Sequence, residues 1–232
     1  MKKLLTNTFL YLFLFFIFLY KDLFYLVPLY ILKIDYTNLT YHQQLLLNLF
    51  SSIILVIIIY LIYRKYLKEK LIDYKKNFKD YFEFGFKWWF IGLVMMLSTN
   101  VLIAMFSPIS TPTNEILVQK MLREAPLITF ISSSLIAPFL EEMLFRKSFS
   151  DILNNKFYSI FFSGIVFGLM HIVFSVTSFW DFLYVVPYGA LGSAFAYILH
   201  KTDNIYISIT FHLIHNGILT LFSILMTVIL SW

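Results

Sequence analysis

Seven apolar runs, most of them near or beyond 20 residues, follow one another along this 232-residue chain, at about 4–32, 44–63, 84–106, 127–150, 157–178, 180–199 and 205–230. A helix needs roughly 20 mainly apolar residues to cross the hydrocarbon core of a bilayer. The pattern therefore predicts an all-α, polytopic transmembrane helix bundle with seven spans, or eight if the overlong first run hides two. That first run is interrupted by Lys21-Asp22, so residues 23–32 are expected along the interface. It exceeds the apolar stretch of a signal peptide and lacks a small-residue cleavage site, so it is expected to be retained.

Composition closes off the soluble classes. The chain is 60% hydrophobic and 13% charged, against about 45–50% and about 25% for an ordinary soluble domain. A water-soluble globule is excluded, and so is disorder, which requires low hydrophobicity and high charge. The absence of cysteine excludes disulfides, thiolate nucleophiles and Cys-based zinc sites. A net charge of +5 does not point to nucleic acid, because most Lys and Arg lie in one juxtamembrane segment. No Gly-rich phosphate loop occurs among the 7 Gly.

Charge also predicts orientation, since Lys and Arg accumulate on the cytoplasmic side. With a cytoplasmic N-terminus, 14 of the 18 basic residues fall inside, against Lys33, Lys120 and Arg123 outside and Lys21 within the first span. Residues 64–83 are too polar to span. Leu67, Leu71, Tyr74, Phe78, Tyr81 and Phe82 recur there at helical spacing between charged residues, predicting an amphipathic helix on the inner leaflet. The outer loop 107–126 is bounded by prolines and is expected to hold a short amphipathic helix from about Thr113 to Arg123. No repeat or low-complexity linker divides the chain. It reads as one integrated membrane domain, with N-terminal helices over 1–124 and a polar-motif bundle over 125–232.

Ionisable groups inside a membrane are costly and usually mark function. Three predicted spans carry them: Glu141, Glu142 and Arg146 in the fourth, His171 in the fifth, and His212, His215 and Asn216 in the seventh. Glu142 and Arg146 stand four apart with the acid first, the favoured order for a helical ion pair. Glu141 points about 100° away and lacks an intrahelical partner, which suits a general base. Counting from the turn near Asn155, Glu141 lies 14 residues before it and His171 lies 16 after it. At 1.5 Å per residue, both sit roughly 21–24 Å deep and can face one another. His212 and Asn216 share a helical face and offer an imidazole and an amide to a developing oxyanion. Pro138 is expected to kink the fourth span, with Ser132, Ser133 and Ser134 available to the freed carbonyls. His42 and His200 sit at span ends and read as interfacial.

Glu-Glu-x-x-x-Arg at 141–146, Phe-x-x-x-His at 167–171 and His-x-x-x-Asn at 212–216, in order on successive spans, resemble the three motifs of the CPBP family. These are the CAAX-protease and bacteriocin-processing intramembrane endopeptidases, also called the Abi family. The resemblance covers roughly residues 125–220. It implies a membrane protease in which Glu141 and His171 activate water, His212 and Asn216 stabilise the oxyanion, and Glu142 and Arg146 hold the site. Family members are described both as metalloproteases and as metal-free glutamate enzymes. Glu141, His171 and His212 could supply three ligands to zinc with an open fourth position. The expected partners are the lipid bilayer and a peptide or membrane-protein substrate. The Phe, Ile, Lys and Asn bias suggests a bacterial cell membrane, where peptide or bacteriocin maturation or self-immunity would be the setting. A non-catalytic immunity or partner-binding protein is the competing class. A transporter is disfavoured, because no inverted repeat or paired broken helices occur.

Overall fold

The computed structural model describes residues 2–109 and 111–230, and among these every regular element is helical. Met1, Ser110, Ser231 and Trp232, which fall in the predicted outer loop and the two terminal segments, lie outside the described residues. In chain order the helices are α1 (Lys2–Leu19), α2 (Leu23–Ile31), α3 (Tyr41–Lys76), α4 (Phe78–Phe106), α5 (Thr113–Glu124), α6 (Pro126–Ile152), α7 (Lys156–Met170), α8 (Val185–Thr202) and α9 (Ile205–Leu230). A 3-10 turn, Phe179–Tyr184, leads into α8.

Five helices are long and apolar enough to cross a membrane, and six if the bent pair α1–α2 counts as one span. This is fewer than the expected seven or eight. The difference arises at two places. The first run breaks by 53° at Lys21-Asp22, so that 23–31 forms a separate short helix. The fifth run yields only the 15-residue α7, roughly 22 Å long at 1.5 Å per residue against a core of about 30 Å. Beyond Met170 the chain runs on in turns closed by local hydrogen bonds. Ser175 Oγ donates to the Ile172 carbonyl, and Ser178 forms a capping box with Asp181.

The segment 64–83 also departs from expectation. No Gly or Pro interrupts 41–76, so the helix that spans simply continues, and α3 runs for 36 residues. The break comes at Asn77, after which residues 78–83 begin α4. The apolar face of 64–76 packs on protein. Leu67 is buried, Tyr74 Oη lies 2.9 Å from Thr210 Oγ1, and Asn204 Nδ2 donates to the Lys70 carbonyl and to Asp73. This clasp fixes the α8–α9 turn, where Asp203 adopts a left-handed φ of 49°.

α7 and α8 pack backbone to backbone. A Cβ on Gly168 would lie 2.6 Å from the Val185 carbonyl oxygen, and one on Gly164 would meet the Gly189 carbonyl at 2.7 Å. Small residues are what allow such approach without a hydrophobic driving force between helices in lipid. One buried cluster, including Leu55, Ile59, Leu140, Leu144, Phe145 and Phe167, joins α3, α6 and α7 beneath the polar residues of the site.

Candidate active site

α6 is a mostly α-helical rod with two π-helical stretches, Ile131–Ile136 and Glu142–Lys147. Such wide turns occur frequently at functional sites. The first has a local cause. The Ala137 N–H bonds the Ser132 carbonyl, five residues back. In that register the next donor should be residue 138 to the carbonyl of Ser133, and residue 138 is proline, which has no N–H. The orphaned Ser133 carbonyl is taken instead by Asn216 Nδ2 from α9, at 2.8 Å. The neighbouring serines do not fill this role. Ser132 and Ser133 hydroxyls donate to the Thr129 carbonyl, and Ser134 donates to Thr220.

Glu142 is fully buried and holds the constellation together. Its Oε1 lies 2.8 Å from His212 Nδ1 and 3.3 Å from Arg146 Nε, and its Oε2 accepts from Ser208. The Arg146 contact is a charge pair and not a hydrogen bond, and all three guanidinium nitrogens lack hydrogen-bond partners. The guanidinium lies instead against aromatic faces, its Cζ 4.0 Å from the Phe167 centroid and 5.6 Å from that of Phe195. Gly192 makes room for this stack, since a Cβ there would lie 2.8 Å from Phe167 Cδ1 and 3.4 Å from Arg146 Nη2.

Glu141 is turned the other way, as its position one residue earlier on the helix requires. It lines a cavity of about 630 Å³ together with His171, His212, His215 and Asn216. Its Oε2 is buried without a hydrogen-bond partner and faces His212 Nε2 at 3.5 Å. His212 thus stands between two carboxylates, stacked on Phe195 with centroids 4.9 Å apart. His171 caps α7. Its Nδ1 lies 2.9 Å from the Phe167 carbonyl, and its ring stacks on Tyr188 at 4.6 Å. With Nδ1 engaged by that carbonyl, a neutral His171 carries its lone pair on Nε2.

All six sequence-derived residues therefore come from three helices to one place, four of them on the cavity wall and Glu142 and Arg146 behind it. The expected zinc set is not gathered as such. Among the described residues no three His, Asp or Glu side chains are arranged to hold a metal ion. His212 and His171 each have Nδ1 engaged, by Glu142 and by a backbone carbonyl, so that Nε2 is the nitrogen each turns to the cavity.

Sequence reasoning missed several contributors. Ser208 precedes His212 by one helical turn on the same face, a spacing that could have singled it out. Tyr188 and Phe195 carry no polar signal in an aromatic-rich chain. α5 was expected only as an outer-loop helix, yet Asn114, Glu115, Val118, Gln119 and Leu122 form one side of the cavity.

Comparison with known proteins converges on this region. Residues 123–218 match the family model described as type II CAAX prenyl endopeptidase Rce1-like. The chain is 26% identical over 183 residues to the "Putative membrane peptidase YdiL" of Bacillus subtilis (strain 168), covering 75% of this chain and 70% of that one. It is 24% identical over 132 residues to the UPF0177 protein YvdC of Lactococcus lactis subsp. lactis (strain IL1403), and 31% identical over 93 residues to YaiF of the same strain. These matches cover 54% and 40% of this chain, and 48% and 39% of those proteins, so the chain spans less than half the length of either. No solved structure matches.

Proposed function

We propose that this multi-pass membrane protein, whose residues 123–218 match the type II CAAX prenyl endopeptidase Rce1-like model, is an intramembrane endopeptidase of the glutamate type. The observation that carries this reading is Glu141, a cavity-facing carboxylate with a buried, unpartnered oxygen beside two imidazoles. A carboxylate in such a position is an acceptor without a donor, and a water is the simplest group to supply one.

The geometry supports a division of roles. A water in the cavity donates one proton toward Glu141 and the other toward His171 Nε2, which leaves its oxygen lone pair free to attack a peptide carbonyl. Glu141 takes the proton as the carbon–oxygen bond forms, and returns it to the leaving amine nitrogen as the carbon–nitrogen bond breaks. His212, held by Glu142 at Nδ1, directs Nε2 to the cavity, where a proton on that nitrogen would be donated to the oxyanion. Asn216 Nδ2 has two hydrogens and spends one on Ser133, so the second is available to the same oxyanion. Glu142, Arg146 and Ser208 position His212 without touching substrate. Among the described residues no three His, Asp or Glu side chains form a ligand set, and the roles above are those of the protein's own groups.

The substrates are membrane-associated peptides or proteins, and peptide precursors, those of bacteriocins among them, are the class to try first. The test is cleavage of a membrane-inserted peptide library by protein in proteoliposomes, read by mass spectrometry. Wild type is expected to produce defined cuts, and Glu141→Gln is expected to lose about 10²–10⁴ in rate, the usual worth of a general base, at undiminished protein level. Equal cleavage by the two proteins, or none by wild type, would leave the non-catalytic binding or immunity reading in possession.

A further inference from the structure

We propose that Glu115 forms a second polar subsite in the cavity, which selects peptides carrying a basic side chain three to five residues from the bond that is cut. This rests on the protease reading and names a substrate preference for the same cavity.

The cavity is walled mainly by apolar side chains, and its catalytic polar groups lie on α6, α7 and α9. A separate polar group stands where α5 meets the far part of α9. Gln119 Nε2 donates to Glu115 Oε1 at 2.7 Å and to Ser223 Oγ at 3.0 Å, so one amide nitrogen joins the carboxylate of α5 to α9. All three residues line the cavity. The amide neutralises nothing, and among the described residues no Lys, Arg or His is ion-paired with Glu115. The carboxylate stands half-exposed on a mainly apolar cavity wall, fixed at one oxygen by a neutral donor and with no cation beside it.

α5 is held in place independently of any substrate. Asp181 is buried and accepts from the Thr177 and Ser178 backbone N–H groups, each at 2.9 Å, and from Thr113 Oγ1 at 3.4 Å, which ties the start of α5 to the turn before α8. The position of Glu115 is therefore built into the fold and is not that of a free surface acid.

The spacing sets the register. Ser223 lies 7 residues beyond Asn216 and 11 beyond His212 on one continuous helix, roughly 10 and 16 Å along its axis. An extended peptide advances about 3.3 Å per residue, so this separation corresponds to roughly three to five residues. A peptide whose carbonyl sits between Glu141 and Asn216 would bring a lysine or arginine at that distance to Ser223, and Glu115, joined to Ser223 through Gln119, lies within reach of so long a side chain.

The test uses full-length protein in lipid nanodiscs and neutral peptides of about ten residues, in which one lysine replaces norleucine at successive positions. Binding is read by fluorescence anisotropy in the Glu141→Gln background, and cleavage by mass spectrometry with the active protein. At the best position the lysine peptide is expected to bind roughly tenfold more tightly than its norleucine parent, a usual worth for a charge-assisted contact. Glu115→Gln should bring that ratio close to one, and Glu115→Asp should keep most of it, which separates lost charge from lost fold. The cut bond should lie three to five residues from the preferred lysine. A ratio indifferent to Glu115→Gln, the absence of any lysine preference, or a preferred lysine adjacent to the cut bond would overturn the proposal. A Glu115-dependent preference in binding without cleavage by the active protein would instead overturn the protease reading and leave the subsite standing.

Discussion

Removing one member of the Glu142–Arg146 pair should cost far more than removing both. Both side chains are at 0% exposure, with Glu142 Oε1 3.3 Å from Arg146 Nε. Glu142→Gln leaves a guanidinium fully buried against aromatic faces, with no carboxylate at ion-pair distance. Breaking a buried pair in this way costs about 3–5 kcal/mol, whereas replacing the whole pair with neutral groups of similar size is often close to neutral. Arg146→Met strands the carboxylate instead, although His212 and Ser208 still donate to it, so its cost should fall at the lower end of that range. The double variant Glu142→Gln with Arg146→Met should recover at least about 2 kcal/mol relative to the sum of the two, the signature of direct coupling. Reversible unfolding by SDS in mixed micelles, followed by tryptophan fluorescence, provides the measurement. Asp203→Asn is the control, because Lys70–Asp203 is an ion pair with the acid 89% exposed, and its loss should cost under about 1 kcal/mol. Additive costs in the double variant, or a cost for Glu142→Gln no larger than for Asp203→Asn, would refute the assignment of Glu142 as the group that holds Arg146 and His212.

Asn216→Ala should reduce stability by roughly 1–3 kcal/mol, because it leaves the part-buried Ser133 carbonyl without its Asn216 donor, and should also slow cleavage. Adding Pro138→Ala, which restores an N–H at the position that would bond Ser133, should recover stability but not activity, as separate unfolding and cleavage assays would show. Chelators are expected to leave cleavage unchanged, and a loss that is restored by zinc would show that His171 and His212 rearrange around a metal. The charge bias of the loops predicts that reporters fused at Lys76 and at Thr113 lie on opposite sides of the membrane, the first cytoplasmic. The same side for both would overturn the span assignment between them.

The constellation was more legible than the span count, and the reason lies in which physical signal each depends on. A buried carboxylate or imidazole stands out against an apolar background one residue at a time. Helical phase and rise then carry it to a face and a depth, and in the structure Glu141 and His171 both line the one cavity. Span counting depends on where helices end, and in an apolar run the ends are set by a few local hydrogen bonds. Beyond Met170 α7 gives way to locally bonded turns, and the first run bends at Lys21-Asp22. At 64–76 amphipathic periodicity predicts a helix lying on lipid headgroups, and the structure adds a protein contact for its apolar face. The same periodicity serves equally to pack Leu67 and Tyr74 on the α8–α9 turn, because a helical face records that something apolar covers it and not what that is.

The π-helical stretch at 131–136 shows why part of the site could not be read from spacing. Face arguments assume 3.6 residues per turn, and a bulge changes the phase of everything beyond it. Here the phase slip and the placement of the Asn216 amide have one origin. Proline at 138 removes a donor, the wide turn leaves Ser133 exposed to α9, and Asn216 closes the gap. Asn216 thus serves two demands at once, anchoring α9 against α6 with one amide hydrogen and leaving the other for the cavity. Aspartate at 216 could not meet both, since it has no amide hydrogen to give. A histidine would have a single donor on each nitrogen, pointing in divergent directions. The residue type at 216 is therefore dictated by helix geometry as much as by chemistry, a constraint that becomes visible only when the two helices are seen together.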